Sequence, residues 1–337
     1  MHAVRLHAFG PAENLTYEKT EAPEPGPGQV RIAVKAAGVH LLDTAIREGM
    51  QGPLPQLPEL PTIPGREVAG VVDALGEGTD PAWLGKRVVT HLGFAPGGYA
   101  ELAVVGAERL HEIPERLDEA AAVAMIGTGR TTMGILNFVD LGPDSVVVVP
   151  AAAGGIGSLI VQYAKNAGAT VIGLAGGPAK VALVEGYGAD LALDYKDANW
   201  AALAGKFLAD TDRRATVVFD GVGGDVARAA VDLLGPGGTH VVFGWTAEGI
   251  DSGGDAVYSE AEFAARGVSS VPVLGPAMMA KAGGGDNPVR VLELAALEEA
   301  GSGRLTPAVT RFPLAEAAAA HLALQNRGTV GKVVLEP

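Results

Sequence analysis

The sequence predicts an α/β protein in which a β-rich, partly closed barrel is followed by a doubly wound parallel sheet, and the last strand returns to the barrel. Three observations carry this. Ser145 to Ala175 reads as strand, tight turn, amphipathic helix and second strand in direct succession. The first hundred residues are short strand-like runs cut by Gly and Pro, the texture of a compact barrel. From Asp118 onward strand and helix patterns alternate, which calls for a parallel sheet with helices on both faces.

In chain order, Val4 to Ala8, Val30 to Ala36, Val68 to Leu75, Lys86 to Thr90 and Tyr99 to Val105 are predicted strands. A Pro-Glu-Pro-Gly-Pro-Gly run at 23–28 and a proline-dense loop from Pro53 to Pro64 separate them. Leu41 to Glu48 makes one or two helical turns ending at Gly49. Asp118 caps an Ala-rich helix through Met125, and a second helix covers Thr131 to Phe138. Val146 to Val149 is wholly apolar and β-branched, which suits a strand covered on both faces. Ile156, Leu159, Ile160, Tyr163 and Ala164 then recur at helical spacing, Gly168 supplies a left-handed stop, and Thr170 to Leu174 is the next strand. Pro178 to Tyr187 is a helix with Pro in its first turn. Leu191 to Tyr195, Thr216 to Asp220 and Thr239 to Gly244 are strands with Ala-rich helices between them. Past Ala264 the alternation weakens: Val271 to Leu274 is a short strand, Val289 to Ala300 and Leu314 to Gln325 are helices, and Gly331 to Leu335 closes the chain as a strand. The domain expectation is therefore 1–120, 121–264 and a return segment 265–337.

The turn inside the first strand-helix unit reads Ala152-x-Gly154-x-x-Gly157, one methyl group away from the dinucleotide fingerprint. Gly154 lets the backbone approach a pyrophosphate, Gly157 lets helix and strand pack closely, and the helix N-terminus offers N–H groups and a positive dipole end. Ala152 is tolerable there provided that it avoids positive φ. In a chain with 48 Gly the motif alone is weak, but it sits between a predicted strand and a predicted helix, the context that gives it meaning. Gly221-Val222-Gly223-Gly224 and Gly244-Trp245 follow later strands at the same, carboxyl edge of the sheet.

Composition narrows the chemistry. A net charge of −14 without a Lys/Arg cluster argues against a nucleic-acid partner. Zero cysteines exclude disulfides, thiolate nucleophiles and Cys-based zinc sites, and the seven His show no ligand-like spacing. Neither Gly-x-Ser-x-Gly nor a P-loop occurs. No apolar run approaches the ~20 residues that span a bilayer, and the start alternates like a strand, so the expectation is a soluble cytoplasmic protein.

Selection of NAD uses an acid at the end of the second strand, to hold the ribose 2′-hydroxyl. Here Leu174-Ala175-Gly176-Gly177-Pro178-Ala179-Lys180 has none, and Lys180 adds an attractive charge for a 2′-phosphate. NADP(H) is favoured over NAD(H).

Six segments, in order across nearly the full length, resemble the zinc-independent medium-chain dehydrogenase/reductases, in particular their NADPH:quinone oxidoreductase group that includes zeta-crystallin. They are Gly38 to Gly49, Pro64 to Gly70, Gly97 to Glu101, Ala151 to Gly157, Phe219 to Gly224 and Gly331 to Leu335. The resemblance implies a Rossmann domain inserted into a GroES-like catalytic domain, an active site in the cleft between them, and commonly a homodimer. Zinc members carry a Cys near the position of His40 and Gly-His-Glu where this chain has Gly65-Arg66-Glu67. Arg66 has no lone pair for a metal, so zinc-dependent alcohol oxidation is disfavoured.

The resemblance also implies roles. Gly176, Lys180, Tyr195 and Arg327 would surround the 2′-phosphate. Ala153, Gly154, Gly155, Ile156, Gly157, Val222, Phe243 and Gly244 would line the pyrophosphate and nicotinamide ribose, with Thr131 near the carboxamide. His40 and Ala45 stand where the family often has Asn and Tyr beside the substrate. Ala45 leaves a roomier pocket, and His40 either donates a proton to a substrate carbonyl or hydrogen-bonds the cofactor ribose. Asp43 and Arg47 are expected as a structural ion pair, and Arg66 and Arg130 are candidates for an anionic tail of an enoyl thioester. The expected reaction is hydride transfer from NADPH to a quinone. The alternatives are an enone or enoyl double-bond reductase, an NADPH-binding protein without turnover, and an alcohol dehydrogenase with an unusual metal site.

Overall fold

The computed structural model describes residues 1–52, 54–244 and 257–337. Trp245, half of one expected turn, and Pro53 lie outside the described residues. The chain divides into two compact units, one of residues 1–129, 296–303 and 307–337, the other of residues 130–295 and 304–306.

The first unit opens with an antiparallel hairpin of β1 (His2–Leu6) and β2 (Leu15–Lys19). β3 (Gln29–Val39) leads through α1 (Leu41–Arg47) to β4 (Glu67–Leu75) and β5 (Arg87–His91), and then to β6 (Leu102–Gly106) and the two-residue β7 (His111–Glu112). Asp118 caps α2 (Glu119–Ala124), accepting the Ala121 N–H at 2.7 Å. β3 is the hub. One edge pairs with β4, while the other is shared between β6 along Gln29–Ala33 and, from the end of the chain, a strand paired along Ala37–Val39. Two partners on one edge curl the sheet into a partly closed barrel around Val30, Ile32, Val34, Val68, Val88 and Tyr99.

The second unit begins at α3 (Arg130–Leu136), directly after a π-turn at Met125–Gly129. It continues with β8 (Val146–Val149), α4 (Gly155–Asn166), β9 (Thr170–Ala175), α5 (Pro178–Gly186), β10 (Leu191–Asp194), α6 (Trp200–Asp210), β11 (Ala215–Asp220), α7 (Gly224–Val231) and β12 (Leu234–Val242). α8 (Glu260–Arg266), β13 (Ser269–Pro272) and α9 (Pro276–Ala282) follow. Among the described residues its sheet is parallel with the order β10-β9-β8-β11-β12-β13, the 3-2-1-4-5-6 order of a doubly wound dinucleotide fold. All four valines of β8 are buried, as a central strand covered on both faces requires.

α10 (Pro288–Gly301) carries the chain back, and β14 (Val309–Pro313), α11 (Ala317–Gln325) and β15 (Lys332–Glu336) complete the first unit. β15 is the strand paired antiparallel to β3. The units exchange at 129/130 and 295/296, not at 120 and 264, because β13 still extends the parallel sheet beside β12 and α9 packs on α3. Among the described residues no helix is long and apolar enough to cross a membrane.

Candidate functional site

In the second unit the turn Ala151 to Gly157 joins β8 to α4. Its left-handed residue is Ala151 (φ 54°), so Ala152 is spared that conformation and its methyl group costs nothing. Gly154 is the N-cap and supplies no side-chain cap, which leaves the first N–H groups of α4 without a side-chain acceptor from that residue. A Cβ on Gly157 would lie 2.9 Å from Ala152 Cα, so only Gly permits this approach of helix to turn. Ala153, Gly155 and Ile156 lie in the same turn and first helical residues.

Beyond β9, Gly176 packs against the Tyr195 hydroxyl and Gly177 (φ 95°) turns the chain into α5. Lys180 sits in the first turn of α5. Burial, and secondarily the charge of Lys196, lower its pKa. Two ammonium groups are thus held near one another at this corner. Asp194 is turned to the backbone, accepting the Lys196 N–H at 2.9 Å. At the ends of β11 and β12, Asp220 accepts the N–H groups of Val222 (2.8 Å) and Gly223 (3.0 Å), and the Phe243 ring covers Gly221 with Gly244 beside it. Every expected cofactor residue except Arg327 therefore belongs to this unit, at the carboxyl edge of its sheet or in the turns there; Thr131 is the second residue of α3. Arg327 follows α11 in the first unit, exposed and left-handed (φ 55°). Arg130 engages Glu293 at 3.4 Å, so it is not an unengaged cation.

In the first unit His40 has partners that its sequence neighbourhood does not show. Its Nε2 lies 2.5 Å from Oε1 of Glu67 and 2.7 Å from Nζ of Lys332. Lys332 Nζ is also 2.7 Å from Glu67 Oε2, an ion pair in close contact. Glu67 and Lys332 reach His40 from β4 and β15, and the groove between those strands is open because residues 38 and 127 are Gly: a Cβ on either would overlap the Glu67 carboxylate. Burial pushes the Glu67 pKa up, but the charges of His40 and Lys332 outweigh it and hold the group well below the usual carboxylate range. Burial lowers the Lys332 pKa. His40 alone of the three is exposed, at 28% of its side chain against 0% and 3%.

Asp43 and Arg47 do not pair with one another. Asp43 accepts the His40 N–H at 2.7 Å and the Tyr99 hydroxyl at 3.4 Å, whereas Arg47 donates to Gly10 O, Gln325 and Glu48. Helix geometry explains it: Asp43 is spent at the N-terminus of α1 and Arg47 at its C-terminus. His321 Nε2 meets the Tyr99 oxygen at 3.1 Å, and the donor order His321, Tyr99, Asp43 satisfies these contacts while the buried His321 Nδ1 has no partner. Beside this network is a cavity of about 470 Å³, walled by Leu6, Ile46, Leu54, Leu57 and Phe94 and by Arg66. Ala45 is buried in α1 and does not line it, so the roomier pocket expected from its small side chain is not what forms this cavity.

The alcohol dehydrogenase GroES-like domain family matches residues 26–115, and the zinc-binding dehydrogenase family matches residues 155–280. A quinone oxidoreductase of Pseudomonas aeruginosa is 33% identical over 99% of both chains. A 2-haloacrylate reductase of a Burkholderia species is 31% identical over 99% of this chain and 98% of its own. A solved mycobacterial protein complexed with NADPH superposes over 100% of both chains with a TM-score of 0.81 at 32% identity. The chain belongs to the zinc-independent medium-chain dehydrogenase/reductases, in the quinone oxidoreductase group. Despite the second family's name, the chain has no cysteine, and among the described residues no group of His, Asp and Glu is placed to hold a metal.

Proposed function

We propose that the protein is an NADPH-dependent reductase of electron-poor acceptors, a quinone in the first place. The observation that carries the reading is the corner after β9, where the turn itself has no acid and two lysines stand together, the neighbouring Asp194 carboxylate being taken up by the Gly177 and Lys196 N–H groups. The turn before α4 suits the pyrophosphate, and Val222, Phe243 and Gly244 suit the nicotinamide ribose. Bound NADPH supplies a hydride to the acceptor, which takes up one proton as well and leaves as a hydroquinone. The chain's part is to bind, orient and exclude water. His40 is the group placed to pass that proton: its ring is partly exposed, and behind it Nε2 meets the buried Glu67 carboxylate and the Lys332 ammonium.

A second reading, reduction of an activated carbon–carbon double bond, is favoured by the similarity to the 2-haloacrylate reductase. It uses the same groups, with hydride to the β-carbon and the proton to the α-carbon. A homodimer is supported by β13, an edge strand paired only with β12 among the described residues and free to take a second copy's strand.

Lys180→Ala tests the cofactor assignment. A charge-assisted contact contributes about 1.5–3 kcal/mol, so Kd for NADPH should rise about ten- to hundredfold while Kd for NADH stays the same. An unchanged NADPH/NADH preference, read by fluorescence titration, would remove Lys180 from the site.

A further inference from the structure

We infer that the cavity beside α1 takes an acceptor bearing a carboxylate, an α,β-unsaturated acid, with Arg66 as the residue that holds it. The inference rests on the reductase reading and specifies its substrate class. Two cations line the cavity, and they differ. Arg47 is fully engaged, by Gly10 O at 3.0 Å, by Gln325 at 3.2 Å and by Glu48. Arg66 is 12% exposed, its Nε is buried without a hydrogen-bond partner, and the nearest carboxylate oxygen, on Asp43, is 3.6 Å away. Asp43 pairs with it only at that distance, through Oδ1, while its Oδ2 accepts the His40 N–H and the Tyr99 hydroxyl.

A buried guanidinium whose Nε has no acceptor and whose one ion pair is long gains from a second planar anion, and a carboxylate matches its fork bidentately. The remaining wall suits a short conjugated skeleton: Leu54, Leu57 and Phe94 are apolar, and about 470 Å³ is ample for a small acid. Two carboxylates also line the cavity: Glu59 is exposed, where water screens its repulsion, and Asp43 is buried, its charge shared among Arg66, the His40 N–H and the Tyr99 hydroxyl. With a net charge of −14 the protein as a whole repels an anion, so selection of one has to come from a local cation of this kind.

The test compares 2-chloroacrylate with its methyl ester, and adds 1,4-benzoquinone, with NADPH as reductant, for wild type, Arg66→Met and Arg66→Lys. Wild type should favour the acid over the ester at least tenfold in kcat/KM. Arg66→Met should lower that ratio at least tenfold, through KM, and Arg66→Lys should restore part of it. Equal use of acid and ester by wild type, or a ratio unmoved in Arg66→Met, would overturn the inference. Turnover of the quinone with none of the acid would also overturn it while leaving the reductase reading intact. If no acceptor oxidises NADPH the reductase reading fails, and calorimetric titration of 2-chloroacrylate into wild type and Arg66→Met then decides the pocket. Binding lost in the variant supports the assignment, and equal or absent binding rejects it. Should Arg66→Met fail to fold, the acid-to-ester ratio of Arg66→Lys against wild type carries the test.

Discussion

Lys332→Met should destabilise the protein by about 3–5 kcal/mol at neutral pH, the cost of leaving a buried carboxylate without its counter-charge. Glu67 is fully buried, and its charge rests on two groups, His40 Nε2 at 2.5 Å and Lys332 Nζ at 2.7 Å. Methionine fills much the same volume as the lysine stem, so the loss is electrostatic rather than a cavity. Glu67→Gln combined with Lys332→Met should recover more than half of it, since both charges then leave together. The deficit of the single variant should also shrink on acidification, as Glu67 takes up a proton in place of its lost partner. Urea unfolding followed by circular dichroism measures all three. A loss below 1 kcal/mol, or strict additivity in the double variant, would show that Glu67 is not held by this pair.

The second large effect is a pH dependence of stability. His321 is buried against Tyr99, and burial lowers its pKa from 6.5 to about 4. The unfolded chain therefore binds a proton between pH 6.5 and 4 that the folded chain refuses. Stability contributed by neutral His321 is complete above pH 6.5, declines as the pH falls through that window and is level below it, with a total of about 3 kcal/mol. Carboxylates titrate in the lower part of the same window, so the His321 share is read as the difference between wild type and His321→Gln. The gap between their unfolding free energies at pH 7 should narrow by about 3 kcal/mol on going to pH 4. A gap that stays constant would mean that His321 titrates normally in the folded state.

Much of the cofactor corner was legible because it is local. The turn from Ala151 to Gly157 lies within one strand-helix-strand unit, and Gly176 and Lys180 directly follow its second strand, so periodicity alone places them at one sheet edge. The left-handed residue was not legible: the fingerprint directs attention to Ala152, and the structure bends at Ala151. Short or edge elements escaped for want of a pattern. β7 has two residues, β14 buries none of its residues fully, and β2 buries only Leu15 fully. The histidine cluster was illegible for a different reason. Glu67 is 27 residues from His40 and Lys332 is 292 away, so only the pairing of β3 with both β4 and β15 brings them together. Asp43 and Arg47, one helical turn apart, offered a local ion pair that tertiary partners displaced.

The most direct test of the account is anaerobic loss of NADPH absorbance, with NADH in parallel, against benzoquinones, naphthoquinones and 2-enals. NADPH should be oxidised by at least one quinone, with kcat/KM at least tenfold above that for NADH. Equal use of NADH, or tight NADPH binding with no oxidation by any acceptor, would contradict it.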